Sequence, residues 1–204
     1  MNVGIYIYDE AEVLDFSGPF EVFSTAARVA ETPQVFTVFL VSETGGTVSA
    51  RGGYEVRASY GFIDHPPIDI LIAVGGVHTG ELKKQRVLRW IKEQSEKADL
   101  VASVCTGAFL LAEAGVLSGE TVTTHWADIP NLRSTYPNLN VIENQRWVDE
   151  GNVVTSGGIS AGIDMSLHLV SKTLGKELAE KTARQMEFDW TKSDRPVDPT
   201  GVKG

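Results

Sequence analysis

Apolar residues recur along this chain in short unbroken runs, and the runs alternate with stretches of helical period. Val3 to Tyr8 (V-G-I-Y-I-Y) is a predicted strand, and Asp9 to Phe16 is an acidic loop. Ser17-Gly18-Pro19 reads as a helix start, with Ser17 as N-cap and Pro19 in the first turn. Phe20, Val22, Phe23, Ala26, Ala27 and Ala30 then form one apolar face. Val35 to Val41 is a second strand, and Gly45 to Ser59 a hairpin turning at R-G-G. Asp69 to Val74 is almost wholly apolar, as in a strand covered on both faces, and it ends in Gly75-Gly76. Glu81 to Lys97 is a polar-faced helix with Leu82, Val87, Leu88 and Ile91 inward.

Leu100 to Val104 is a strand, and Ala108 to Ala114 a buried helix that stops at Gly115. Short strands are expected at Thr121 to Thr124, Val141-Ile142, Arg146 to Asp149 and Val153 to Ser156, with a short helix at Ile129 to Tyr136. Ser160 to Leu174 is an apolar helix and Lys176 to Phe188 a polar one. Residues 1–188 are expected to be one domain, and 189–204 a loose, charged tail. Such alternation predicts an α/β fold: a mostly parallel sheet with helices on both faces, a three-layer α/β/α sandwich. Sites in such sheets lie outside the carboxyl ends of the strands. Asp15, Gly75-Gly76, Cys105-Thr106 and Gly157-Gly158-Ile159 all fall at such ends, so they are expected in one cleft.

Composition narrows the function. The chain has 204 residues, 42% hydrophobic and 22% charged, which is the profile of a globular protein. A net charge of -9 argues against a nucleic-acid partner, because phosphate binding needs clustered Lys and Arg. A single cysteine cannot form an internal disulfide, so a cytoplasmic setting is expected. No signal peptide, membrane span or internal repeat is expected.

That cysteine, Cys105, sits on the sharp turn between a strand and a helix, with Ser103 two residues before it and Gly107 two after. The arrangement is that of a nucleophile elbow. The first amides of the following helix are expected to favour an anion at the sulfur and so depress the thiol pKa. The rival reading is a small buried hydrophobe, which most free cysteines are.

Asp15 lies between apolar residues just before the expected helix start. It is either a helix cap or a partly buried carboxylate facing the sulfur, where burial and a nearby thiolate would raise its pKa toward neutrality. Gly75 and Gly76 form a tight turn or offer backbone N–H groups to developing negative charge. Thr106 is the first helical residue, or a hydroxyl and an amide placed beside the sulfur. His125 is the histidine to test for a Cys–His pair, though a structural hydrogen-bonding role is favoured. Asp9, Glu10 and Glu12 read as solvated loop charges. No metal-ligand spacing and no glycine-rich phosphate signature is found.

These motifs together resemble the ThiJ/PfpI superfamily, from Val3 to about Phe188. The resemblance is carried by L-D-F-S-G-P-F-E-V-F at Leu14 to Phe23, A-V-G-G at Ala73 to Gly76 and S-V-C-T-G-A at Ser103 to Ala108. It continues in L-A-E-A-G-V-L-S-G at Leu111 to Gly119, T-T-H-W-A at Thr123 to Ala127 and T-S-G-G-I-S-A-G-I-D at Thr155 to Asp164. It implies a flavodoxin-like, glutamine-amidotransferase-like sandwich. An Asp in L-D-x-x-G-P and a Thr directly after the cysteine are similar to the isocyanide (isonitrile) hydratase branch, a lyase.

The resemblance implies that Cys105 attacks the terminal carbon of an isocyanide, that Asp15 is general acid/base, and that Thr106 sets the position and ionisation of the thiol. It further implies that the Gly76 and Thr106 amides line the attack site and that Ile159 packs near the sulfur on a helix that shifts with the charge on Cys105. No metal or organic cofactor, a small-molecule substrate and a homodimer are implied. Alternatives are a glyoxalase- or amidase-like hydrolase, the ligand-sensing domain of an AraC-type regulator, and a redox sensor built on an oxidisable thiol. The regulator reading expects a helix-turn-helix region after Phe188, and the tail is expected to be too short for one.

Overall fold

The apolar runs pair side by side, and their pairing sets the height of everything at the strand ends. The structure is a computed structural model and describes residues 1–192. In chain order the first half contains β1 (Asn2–Tyr6), α1 (Val13–Val29), β2 (Thr37–Val41), β3 (Gly46–Ala50), β4 (Tyr54–Ala58), β5 (Ile70–Ala73) and α2 (Gln85–Ser95). The second half contains β6 (Leu100–Val104), α3 (Gly107–Glu113), β7 (Thr121–Val122), α4 (Ile129–Thr135), β8 (Asn140–Val141), β9 (Trp147–Asp149), β10 (Val153–Ser156), α5 (Ala161–Leu174) and α6 (Lys176–Gln185).

Six strands form the main sheet in the order β2-β1-β5-β6-β10-β9. All neighbours are parallel except β10 with β9. This is the expected α/β sandwich. Every residue of β5 and β6 is buried, which is why both read as near-continuous apolar runs. From β1 the chain steps outward to β2, then returns to β5 on the other side of β1. With right-handed crossovers, that reversal sends α1 and α2 to opposite faces. Accordingly α1 packs with α5 and α6, and α2 with α3.

The reversal also opens a crevice above the carboxyl ends of β1 and β5, where open α/β sheets place their ligands. Register fixes what meets there. Tyr6, Ala73, Ser103 and Thr155 are level across β1, β5, β6 and β10. Counting on two residues from the last three brings Gly75, Cys105 and Gly157 to one height above the sheet.

The structure differs from the predicted elements in four respects. Helix α1 begins at Val13, not at Ser17. The Glu12 amide donates to the Gly75 carbonyl (2.9 Å), and Ala11 bridges to Gly76. This long-range clamp fixes where the helix starts. Ser17 therefore does not cap; its hydroxyl donates back to the Val13 carbonyl (2.8 Å), and Pro19 lies inside the helix. The stretch expected as one helix from Glu81 opens as a 3-10 turn, His78–Lys83, before α2. Strand β7 pairs with β8 in a separate two-stranded ribbon rather than joining the main sheet.

The expected tail at 189–204 lies outside the described residues from 193 on. Its first residues are docked. Trp190 Nε1 donates to the Asp164 carbonyl (3.3 Å) and the Thr191 amide to Asp164 Oδ1 (2.7 Å). No helix among the described residues is long and apolar enough to cross a membrane.

Candidate active site

Cys105 follows the last residue of β6 and sits at φ 56°, in the left-handed region that non-glycine residues rarely occupy. Its backbone is held on both sides: its N–H donates to the Gly157 carbonyl (3.2 Å), and its carbonyl accepts from Thr124 Oγ1 (2.7 Å). Gly107 lets α3 leave directly over β5, since a Cβ there would overlap the Ala73 carbonyl. The elbow expected from the sequence is thus present, and the thiol it presents is 7% exposed.

Asp15, in the first turn of α1, is completely buried. Its Oδ2 accepts the Gly75 N–H at 3.0 Å, a partner sixty residues away on another strand end. It does not cap its own helix, so the capping alternative is removed. Oδ1 is buried with no hydrogen bond of good geometry; the Glu12 charge acts against ionisation of this carboxyl, and the Cys105 thiol and Ile159 amide favour it. Burial is the largest influence on Asp15 and lifts its pKa to about 7, against the lowering effect of the Gly75 N–H. Ionisation near neutral pH is what a group that both gives and takes protons needs.

The thiol moves the other way from expectation. Burial first, and the Asp15 carboxylate second, push its pKa up, while the Thr106 and Ile159 amides pull it down and lose. The expectation of a depressed thiol considered only the amides; burial beside a carboxylate outweighs them. Together Asp15 and Cys105 form one coupled acid pair, and removing both protons from it is costly.

Thr106 joins the two glycines to this pair. Its Oγ1 accepts the Gly76 N–H at 3.0 Å and donates to the Gly76 carbonyl at 3.2 Å. Gly75 has no room for a side chain: a Cβ there would lie 2.6 Å from the Thr106 nitrogen and 2.8 Å from Asp15 Oδ2. The Gly75 and Gly76 amides are therefore occupied in holding Asp15 and Thr106. The amides that face the sulfur are those of Thr106, as expected, and of Ile159 rather than Gly76. Ile159 has φ 55°, and this turn is what aims its amide at both Cys105 and Asp15.

A cavity of about 120 Å³ opens onto the sulfur. Gly76, Cys105, Thr106, His125 and Ile159 line it, so these expected residues converge; Asp15 and Gly75 lie beneath. His125 stands against Gly158, where a Cβ would overlap its ring. Its Nδ1 faces the Ala127 amide (3.4 Å) and Asp128 Oδ2 (3.3 Å). Both contacts are within its own turn, where its side chain accepts from the Ala127 amide.

Three lining residues were not expected: Glu12, Arg51 and Asp128. Arg51 comes from the tip of the β3–β4 hairpin and pairs with Glu12 (3.2 Å). Three bonds tie that hairpin to the β1–α1 loop: Glu10 N–H to Ser49 O (2.8 Å), Ser49 N–H to Asp9 Oδ1 (2.9 Å) and Arg51 N–H to Ala11 O (3.0 Å). Asp9 and Glu12 are thus not merely solvated charges. The i,i+3 spacing of His125 and Asp128 was the one local signal available. Among the described residues, no three acidic, His or Cys side chains are grouped to hold a metal ion.

The DJ-1/PfpI family model matches residues 1–172. The isonitrile hydratase of Pseudomonas putida is 33% identical over 92% of this chain and 78% of that protein. The HTH-type transcriptional regulator GbdR of Pseudomonas aeruginosa is 22% identical over 95% of this chain, which spans about half (52%) of the regulator. A ThiJ/PfpI family protein from Pseudomonas syringae superposes with a TM-score of 0.82 at 23% identity, covering 98% of this chain and 78% of that one. With the sheet order and the elbow already in place, these likenesses lead to one conclusion: the chain belongs to the DJ-1/PfpI family.

Proposed function

We propose that the protein is a cysteine-dependent hydratase of isocyanides. The observation that carries this reading is the buried Asp15, poised near neutrality against the single elbow thiol. The likeness to an isonitrile hydratase over most of the chain supports the substrate class.

Cys105 Sγ attacks the terminal carbon of R–N≡C, and a C–S bond forms. The thiol proton passes through Asp15 to that carbon, giving a thioimidate, R–N=CH–S–Cys105. Asp15 then takes a proton from water as its oxygen adds to the same carbon. Asp15 passes that proton to the nitrogen; as the C–S bond breaks, the hydroxyl proton returns through Asp15 to the sulfur, and R–NH–CHO leaves. The sum is isocyanide plus water to an N-substituted formamide, with no redox change. The Thr106 and Ile159 amides favour the sulfur anion during attack, whereas burial and the Asp15 carboxylate disfavour that anion at rest. In this reading the Gly75 and Gly76 amides hold the acid and the threonine in place rather than touch substrate. The protein is proposed to work in the cytoplasm as a homodimer, without a cofactor or a nucleic-acid partner.

Turnover of a simple aryl isocyanide to its formamide tests this directly, in wild type, Cys105→Ala and Asp15→Asn. Wild-type turnover that falls at least about a thousandfold in Cys105→Ala supports the nucleophile. An inert wild type removes the hydratase for that substrate; turnover that survives in Asp15→Asn removes the acid/base role.

A further inference from the structure

The mouth of the catalytic cavity carries more charge than its floor requires. Glu12, Arg51 and Asp128 line it, and their formal charges sum to -1. The one cation is not free. Arg51 Nη1 lies 3.2 Å from Glu12 Oε2, so its field at the opening is largely cancelled. Asp128 is not matched in the same way: its carboxylate faces the His125 ring, 3.3 Å from Nδ1. Beneath the mouth stands the Asp15–Cys105 pair, which becomes more negative when the sulfur is deprotonated. A ligand entering here meets a rim of net negative formal charge and, beneath it, a pair that carries no positive charge. It also meets a tight space, since about 120 Å³ is roughly the liquid volume of four waters.

We propose that this rim makes the site selective for small electrophiles that are uncharged or cationic. Glu12 and Asp128 exclude electrophiles bearing a carboxylate, and Glu12 also keeps Arg51 from recruiting them. The inference rests on Cys105 being the reacting group, but not on isocyanides being its substrates.

Two alkylating agents of one shape test it, using the whole chain. Iodoacetamide is neutral and iodoacetate is an anion; with either, an S–C bond forms, the C–I bond breaks, iodide leaves and the thiol proton is lost to solvent. Cys105 is the single cysteine, so mass spectrometry reads its modification cleanly. The quantity to measure is the ratio of second-order rate constants, amide over carboxylate, divided by the same ratio for a small neutral thiol. A change in thiol pKa cancels in this ratio. Wild type is expected to discriminate against iodoacetate by about three- to tenfold beyond the free thiol, the effect of one to two charges seen across partly screened water.

Glu12→Gln and Asp128→Asn should each lower the ratio, and the double variant should bring it to or below one. Arg51→Ala should raise it, because the same wild-type carboxylates then stand alone. Potassium chloride at about 0.5 M should lower the wild-type ratio with no substitution at all, which guards against a misfolded variant. A wild-type ratio equal to that of the free thiol, or one that persists in the double variant, overturns the proposal. An enzyme inert toward isocyanides that still shows the ratio upholds the rim and removes only the hydratase; turnover of isocyanides with no ratio does the reverse.

Discussion

The floor and the rim of this site are built in opposite ways. In the floor, Asp15, Gly75, Gly76 and Thr106 are held by hydrogen bonds between buried and half-buried groups from three strand ends. At the rim, Glu12, Arg51, His125 and Asp128 are partly exposed and meet through ion pairs. The floor sets the proton affinity of the reacting groups, because burial dominates there. The rim sets only the field through which a substrate arrives. If this division is right, substitutions in the floor should alter chemistry and stability together, and those at the rim should alter selectivity alone.

The largest effect is expected from Asp15→Asn, which keeps the shape and removes the charge. Turnover should fall about 10²- to 10⁴-fold, the usual worth of a positioned acid/base. Stability should move in the opposite direction above neutrality. The folded carboxyl ionises at about 7, whereas in the unfolded chain it ionises in the ordinary carboxylate range. Across that window the folded state holds a proton that the unfolded state has released. Wild type therefore loses stability as pH rises through the window, and the loss is complete above the folded value. Asn cannot ionise and should escape this, gaining on the order of 2–4 kcal/mol relative to wild type between about pH 4.5 and pH 8. Urea midpoints at the two pH values check it. Equal changes in both proteins would mean that Asp15 is not the buried acid described.

Next in size is Gly75→Ala. The added Cβ would meet the Thr106 nitrogen and Asp15 Oδ2 well inside contact distance, and one of these is backbone that cannot swing away. Overpacking of this kind costs about 1–3 kcal/mol, and here it also displaces the acid. Melting temperature and turnover should fall together. A stable Gly75→Ala variant that lost only activity would show the floor to be softer than its geometry implies.

How much of this was readable from the residues follows the same division. The elbow was legible because its signal is local: an apolar strand, a turn with small residues about it, and an apolar helix within fifteen residues. The parallel sheet was legible from the alternation of runs. The start of α1 was not, because the Glu12–Gly75 and Ala11–Gly76 contacts decide it, and they join segments more than sixty residues apart. The sign of the thiol shift was missed for a related reason. The Thr106 amide is a neighbour of Cys105 in sequence, but the burial and the carboxylate that outweigh it come from the fold. Arg51 was invisible, since a charged hairpin tip ordinarily faces water, and only the bonds from Ser49 and Arg51 to the β1–α1 loop bring it to the cleft.

Thr106 gives a smaller test of the floor. Thr106→Val keeps the bulk but leaves the Gly76 N–H and carbonyl without this partner, at about 1 kcal/mol of stability. Turnover should drop about tenfold as the Gly76 turn loosens, and Thr106→Ser should restore most of it. A pH profile that shifts in Thr106→Val but not in Thr106→Ser would place the hydroxyl in the control of the Asp15–Cys105 pair.

The smallest effect on stability is expected at Arg51. Its side chain is 52% exposed and that of Glu12 24%, so their ion pair is screened and should contribute about 0–1 kcal/mol. Arg51→Ala should leave the melting temperature almost unchanged, and any difference should vanish in high salt. The hairpin would stay in place, because its attachment runs through backbone groups of Ser49 and Arg51 and through Asp9, none of which the substitution removes. A large loss of stability in Arg51→Ala, comparable to that of Gly75→Ala, would mean that the rim carries the fold as the floor does. The separation of chemistry below from selectivity above would then fail. A neutral change in stability with an altered preference for charged electrophiles would leave the rim free to vary while the floor stays fixed. One buried acid–thiol pair could in that way serve substrates of different charge.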